Sequence, residues 1–85
     1  DITVPVSAWT SSNDITGFPF RAGISIEGCS EDYMPDVILS AADALSGNFA
    51  PVAKTYEGGV FIYAVEKPPA SVTILTILLT KEVSA

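Results

Sequence analysis

The side chains that could do chemistry in this sequence are carboxylates, hydroxyls and one thiol. Glu27, Glu31, Asp32 and Asp36 fall within ten residues. Such a cluster can hold calcium through several carboxylate oxygens. The spacing does not match the EF-hand loop, and no Asp-x-Asp occurs, so it reads as a solvated acidic loop and no metal ligands are assigned. Cys29 is the sole cysteine, and the chain has no histidine to activate it. A thiol or serine nucleophile needs an adjacent base. A Ser–His–Asp arrangement is excluded by composition, and no Ser-x-x-Lys is present. Paired carboxylates could serve glycoside hydrolysis, but 85 residues can scarcely build the cleft. No Gly-x-Gly-x-x-Gly or phosphate loop occurs. These residues predict no catalytic site, no cofactor and no enzyme. Cys29 reads as a small buried hydrophobe, and a lone Cys fits a reducing compartment.

The aromatics are better candidates for recognition. Trp and Tyr carry a large apolar body and a polar tip, which suits sugar or protein contacts. Trp9 stands before a Ser-rich polar stretch, and Tyr33 stands in the acidic turn beside Asp32. Trp9, Tyr33 and Asp32 are the candidate ligand contacts. The alternative for Trp9 is a lid over the core.

The elements that must position these residues are strands. Ile, Val and Thr total 23 of the 85 residues, and β-branched types favour pleated surfaces. Six Pro and six Gly punctuate the chain. A first strand is predicted over 1–6, where Ile2, Val4 and Val6 alternate with Thr3 and Pro5. A loop follows over 10–14. Over 18–27, Phe20, Ala22, Ile24 and Ile26 share one face, a clean period of two. A short strand is expected over 36–40. Ser40 followed three residues later by Asp43 is a helix-capping pattern, so one small helix is expected over 41–45. Glu57-Gly58-Gly59 joins two β-rich arms, 52–56 and 60–66, as a hairpin. The last strand runs over 71–81. Residues 1–85 thus read as a single all-β domain. The container is a small antiparallel β-sandwich or partly closed barrel of about six strands with one short helix.

Two of these strands look apolar on both faces. Val60, Ile62 and Ala64 oppose Phe61, Tyr63 and Val65. Val72, Ile74 and Leu78 oppose Leu75, Ile77 and Leu79. A sheet with one solvated face would alternate with polar residues, and an uncharged run such as 74–79 is an aggregation hazard if bare. Either the helix and loops cover it, or copies of the chain do. The second reading makes Val60, Phe61, Ile62, Tyr63, Val72, Ile74, Leu75, Ile77, Leu78 and Leu79 a subunit interface. Mean hydropathy is +0.41, high for a chain this small. The net charge of −6 disfavours nucleic acid and membranes as partners. No apolar run approaches the ~18 residues of a membrane span.

Several segments occur in a suggestive order: Val-Ser-Ala-Trp-Thr (6–10), Phe-Pro-Phe-Arg-Ala (18–22), Met-Pro-Asp-Val-Ile-Leu-Ser (34–40), Gly-Gly-Val-Phe-Ile-Tyr-Ala (58–64) and Glu-Lys-Pro-Pro-Ala (66–70). This series resembles a small β domain of tail-fibre, baseplate and other virion-accessory proteins of bacteriophages infecting Gram-positive bacteria. The resemblance spans nearly the whole chain, through short motifs of common residue types. It implies a non-enzymatic structural protein on the virion, assembled in the host cytoplasm. Its partners would be copies of itself, as a trimer, and other virion proteins, with a host-surface glycan as a possible ligand. The chain departs from that pattern in its shorter helix, which leaves open a free-standing decoration subunit or one module of a fibre. The alternative function is a carbohydrate- or receptor-binding module using exposed aromatics. A third, drawn from acidity alone, is an inhibitor that masks a basic target.

Overall fold

The computed structural model describes residues 2–50 and 52–81. In chain order the strands are β1 (Ile2–Val4), β2 (Trp9–Ser11), β3 (Phe20–Ser25), β4 (Tyr33–Leu39), β5 (Lys54–Tyr56), β6 (Gly59–Ala64) and β7 (Val72–Lys81). One helix, α1 (Ala41–Leu45), separates β4 from β5. The strands form two antiparallel sheets, ordered β1-β7-β4 and β2-β3-β6-β5. Of the two expected containers, this is the sandwich, and the sheets do not close into a barrel. β2 is a strand where a loop was expected. Val6, assigned above to the first strand, lies in a short 3-10 turn (Val6–Ala8) that carries the chain from one sheet to the other.

Local chemistry explains the connections. Ser40 caps α1: its hydroxyl accepts from the Asp43 N–H at 3.4 Å and donates to the Asp43 carboxylate at 2.9 Å. The same carboxylate accepts from the Thr73 N–H at 3.0 Å, which ties the helix to β7. In the β5–β6 hairpin, Tyr56 pairs with Gly59 across Glu57 and Gly58. Gly58 has φ +104°, in the region that L side chains rarely adopt.

The core lies between the sheets. Val4, Val72 and Ile74 come from the three-stranded sheet; Trp9, Ala22, Ile24, Ile62 and Ala64 come from the four-stranded one. Phe20, Val37, Leu39, Phe49 and Ile77 pack around them. Each strand alternates inward apolar residues with outward ones, as a two-layer core requires.

β7 departs from simple alternation at one place. It pairs with β4 from Tyr33↔Lys81 to Ile38↔Thr76, after which Leu39 lies opposite Ile74. Leu75 is therefore an extra residue, a β-bulge. The bulge resets the parity of the strand. Val72 and Ile74 face inward before it, and Ile77 and Leu79 face inward after it, while Leu75 and Leu78 both point out. This corrects the expected pattern, which put Leu78 with Val72 and Ile74, and Leu75 with Ile77 and Leu79.

The interface expectation is corrected for five of its ten residues. Val60, Ile62, Tyr63, Val72 and Ile74 are all buried within the chain itself, none more than 5% exposed. Phe61, Ile77 and Leu79 are half-buried. Only Leu75 and Leu78 of the expected set are exposed.

Burial predicts which substitutions hurt. Ile74→Ala empties a fully enclosed site and is expected to cost about 2–5 kcal/mol. Val65→Ala, on an exposed position, is expected to stay within about 0.5 kcal/mol. Urea unfolding of both variants at one protein concentration checks the contrast.

Candidate interaction surfaces

The first surface is the outer face of the three-stranded sheet. Met34 and Ile38 project from β4, and Leu75 and Leu78 from β7. They are 62%, 43%, 47% and 53% exposed. Thr3, Thr73, Thr76 and Thr80 fill the positions between them by register. The one acid of β4 on this face is Asp36, opposite Leu78. An apolar sheet face bearing four large exposed side chains is a contact surface in the making.

The second surface is the outer face of the four-stranded sheet, and it is built differently. Phe61 lies in the middle of a ladder along β6. From the Gly59 end, Tyr56 stacks on it with ring centroids 4.2 Å apart. From the Tyr63 end, the Arg21 guanidinium sits 4.1 Å from its centroid. Arg21 also meets the Asp14 carboxylate at 2.7 Å, and that carboxylate accepts the Tyr63 hydroxyl at 2.9 Å. Two glycines make room for the rings. A Cβ on Gly23 would press on the Tyr56 hydroxyl and the Phe61 ring. One on Gly59 would collide with the Ile24 carbonyl oxygen and the Tyr56 ring. Both faces of Phe61 are thus filled from within the chain, so Phe61 offers no free face for stacking a sugar. Its visible effect is to hold the β2–β3 loop against the sheet, through Asp14.

The expected ligand contacts do not come together as one aromatic site. Trp9 is 3% exposed, pairs with Ala22 in the sheet, and packs against Phe49 in a tilted arrangement with ring centroids 5.8 Å apart. It is a core residue, as the lid reading has it, and is not available to anchor a partner, which corrects the ligand-contact expectation. Its indole N–H has no acceptor among the described residues, a cost of about 1–3 kcal/mol that its packing offsets. Tyr33 is half-buried, and its carbonyl accepts the Thr55 hydroxyl at 2.9 Å, linking the two sheets. With Glu31, Met34, Pro35, Lys54 and Thr55 it lines an open groove of about 490 Å³. Asp32 is exposed in the turn before β4. Cys29 is buried, and its thiol donates to the Gly59 carbonyl at 3.3 Å. The acidic residues scatter, Asp36 going onto β4 and Glu27, Glu31 and Asp32 staying in turns. Among the described residues no three metal-ligating side chains gather. The Asp14–Arg21–Tyr63 cluster carried no sequence signal, because Asp14 and Tyr63 lie 49 residues apart.

The cluster sets a pH signature. Burial first, and then the Asp14 carboxylate, push the Tyr63 hydroxyl up from 10.0 to about 12. Arg21 first, and then Tyr63, hold Asp14 below its ordinary 3.8. Tyr63 therefore favours the folded state fully below pH 10, and that contribution is lost as the pH rises through about 12. Asp14 does the reverse. Its contribution is present above 3.8 and is lost as the pH falls through its lowered folded value. Phenolate absorbance should show Tyr63 ionising near pH 12 in the wild type and lower in Asp14→Asn.

Comparison of the chain with protein-family models, with curated proteins and with solved structures finds no match.

Proposed function

We propose that this domain is a non-enzymatic structural module that assembles with copies of itself, and that its setting is a virion, as part of a fibre, baseplate or capsid decoration. The observation that carries self-assembly is the bare apolar face of the three-stranded sheet, with Met34, Ile38, Leu75 and Leu78 exposed together. The chain is small, and its described residues contain no disulfide to reinforce the fold. Contact of that sheet with the sheet of another copy would add to the burial that so short a chain can provide alone. The virion setting rests on the ordered motifs over 6–10, 18–22, 34–40, 58–64 and 66–70.

Sedimentation and light scattering across a concentration series test the reading. The wild type is expected to be oligomeric, with a melting temperature that rises with concentration. Leu75→Lys, at an outward and exposed position, is expected to keep the fold and shift the chain toward monomer. A wild type that stays monomeric at high micromolar concentration overturns self-assembly.

The groove beside Tyr33 favours a second reading, a module that binds a host-surface glycan or receptor. In that case Tyr33→Ala loses whole-cell binding while circular dichroism stays unchanged. Binding that survives the substitution removes this reading.

A further inference from the structure

The two sheets treat their central strands unequally. β6 is paired along its whole length on both sides. β3 takes one side. On the other, β5 covers Gly59 to Phe61. Residues 48–50 then continue the cover, through the Phe49↔Ala64 bridge and the bonds Ala50 N–H to Tyr63 C=O at 3.0 Å and Val65 N–H to Asn48 C=O at 2.8 Å. The Asn48 side chain extends this to the Glu66 backbone with two bonds of 2.9 Å. β7 has β4 along one side, but β1 covers only Val72 to Ile74 on the other. Beyond Ile74 that edge has no strand partner among the described residues.

The direction of the unused hydrogen-bonding groups follows from one proline. Pro35 lies opposite Leu79 and has no N–H, so this pair cannot exchange backbone bonds. The bonded pairs of the ladder are then Met34 with Thr80 and Asp36 with Leu78. The N–H and C=O groups of Ile77 and Leu79 point the other way, out of the uncovered edge. Their side chains are inward and half-buried, so an added strand would also lengthen the core.

The sequence of this edge selects its occupant. Thr76-Ile77-Leu78-Leu79-Thr80 reads nearly the same in both directions. Antiparallel pairing centred on Leu78 would set Thr against Thr, Ile against Leu and Leu against Leu, all favourable cross-strand neighbours. Charge points the same way. The chain carries −6, yet residues 68–80 contain no charged side chain. Two acidic copies can pair along 76–80 with no carboxylate on either of the paired strands.

Resting on the self-assembly reading above, we propose that the uncovered edge of β7 pairs antiparallel with the same edge of a second copy, about a two-fold axis at Leu78. Ile77 exchanges backbone bonds with the partner's Leu79, and Leu79 with the partner's Ile77. Leu78 lies between, in a non-bonded pair on the outer face. The three-stranded sheets of two copies thereby join into one, with the Leu78 side chains in contact across the seam. The state is a dimer, where the resemblance implies a trimer.

Cross-linking tests the register. In a non-bonded antiparallel pair the Cα atoms lie about 4.5 Å apart, within disulfide reach. Leu78→Cys, which leaves the buried Cys29 in place, is expected to form a covalent dimer under mild oxidation. Met34→Cys, exposed on the neighbouring strand, is expected to form several-fold less. Leu79→Pro removes one edge N–H without touching the β4 ladder, and is expected to weaken dimerisation about tenfold or more. Circular dichroism checks that each variant is folded. A dimeric wild type with selective Leu78→Cys cross-linking supports the proposal. A trimer, or a dimer in which Leu78→Cys links no better than Met34→Cys, overturns edge pairing and leaves self-assembly standing. A monomeric wild type overturns both.

Discussion

The pairing of β7 with β4 is the interaction on which the three-stranded sheet depends. Without it, β1 would be a three-residue strand on a lone ribbon, and Val72 and Ile74 would have no fixed place against the opposite sheet. The ladder runs from Tyr33↔Lys81 to Leu39↔Ile74. At its far end Ser40 and Asp43 continue it, since the Ser40 N–H donates to the Thr73 carbonyl at 3.0 Å and the Asp43 carboxylate takes the Thr73 N–H. The small helix is thus an anchor for β7 more than a cover for its face. That arrangement leaves the outer surface of the sheet open.

The two outer faces show two solutions to one shortage. An 85-residue chain has too few elements to add a third layer over either sheet. On the four-stranded sheet, glycines at 23 and 59 let Tyr56 and Phe61 lie down, and Arg21 and Asp14 close the ladder. The face covers itself with its own side chains. On the three-stranded sheet the outward residues are Leu, Ile and Met separated by Thr, and nothing in the described chain lies over them. One face is finished and the other is not, which is why self-association is assigned to the second.

Much of the frame was legible in the sequence, and the reasons it was not complete are physical. The capping pair Ser40 and Asp43 placed α1, and Glu57-Gly58 placed the hairpin, because both signals are local. The period-two run from Phe20 to Ser25 was equally plain. β2 escaped because Trp9-Thr10-Ser11 is a three-residue edge strand whose outward positions are polar, so it reads as loop. The same strand decides between the two readings of Trp9, because its pairing turns the ring inward. β4 starts at Tyr33, earlier than expected, since Pro35 is tolerated in an edge strand. The bulge at Leu75 was invisible because every residue around it is apolar or Thr, so hydropathy cannot tell which ones are in phase. Its neglect made β7 look apolar on both faces. The cluster of Asp14, Arg21 and Tyr63 needs the fold to exist before its members are neighbours.

Leu75 also has a geometric consequence. A bulge sharpens the local twist of its strand. The flat part of β7 is therefore short, bounded by the bulge on one side and by Lys81 on the other. An open apolar edge of unlimited length is the template on which chains stack into fibrils. Here the twist breaks the track after five residues. The same extra residue that hides the strand's phase acts as an end stop, and it limits how many residues an added strand can pair along this edge.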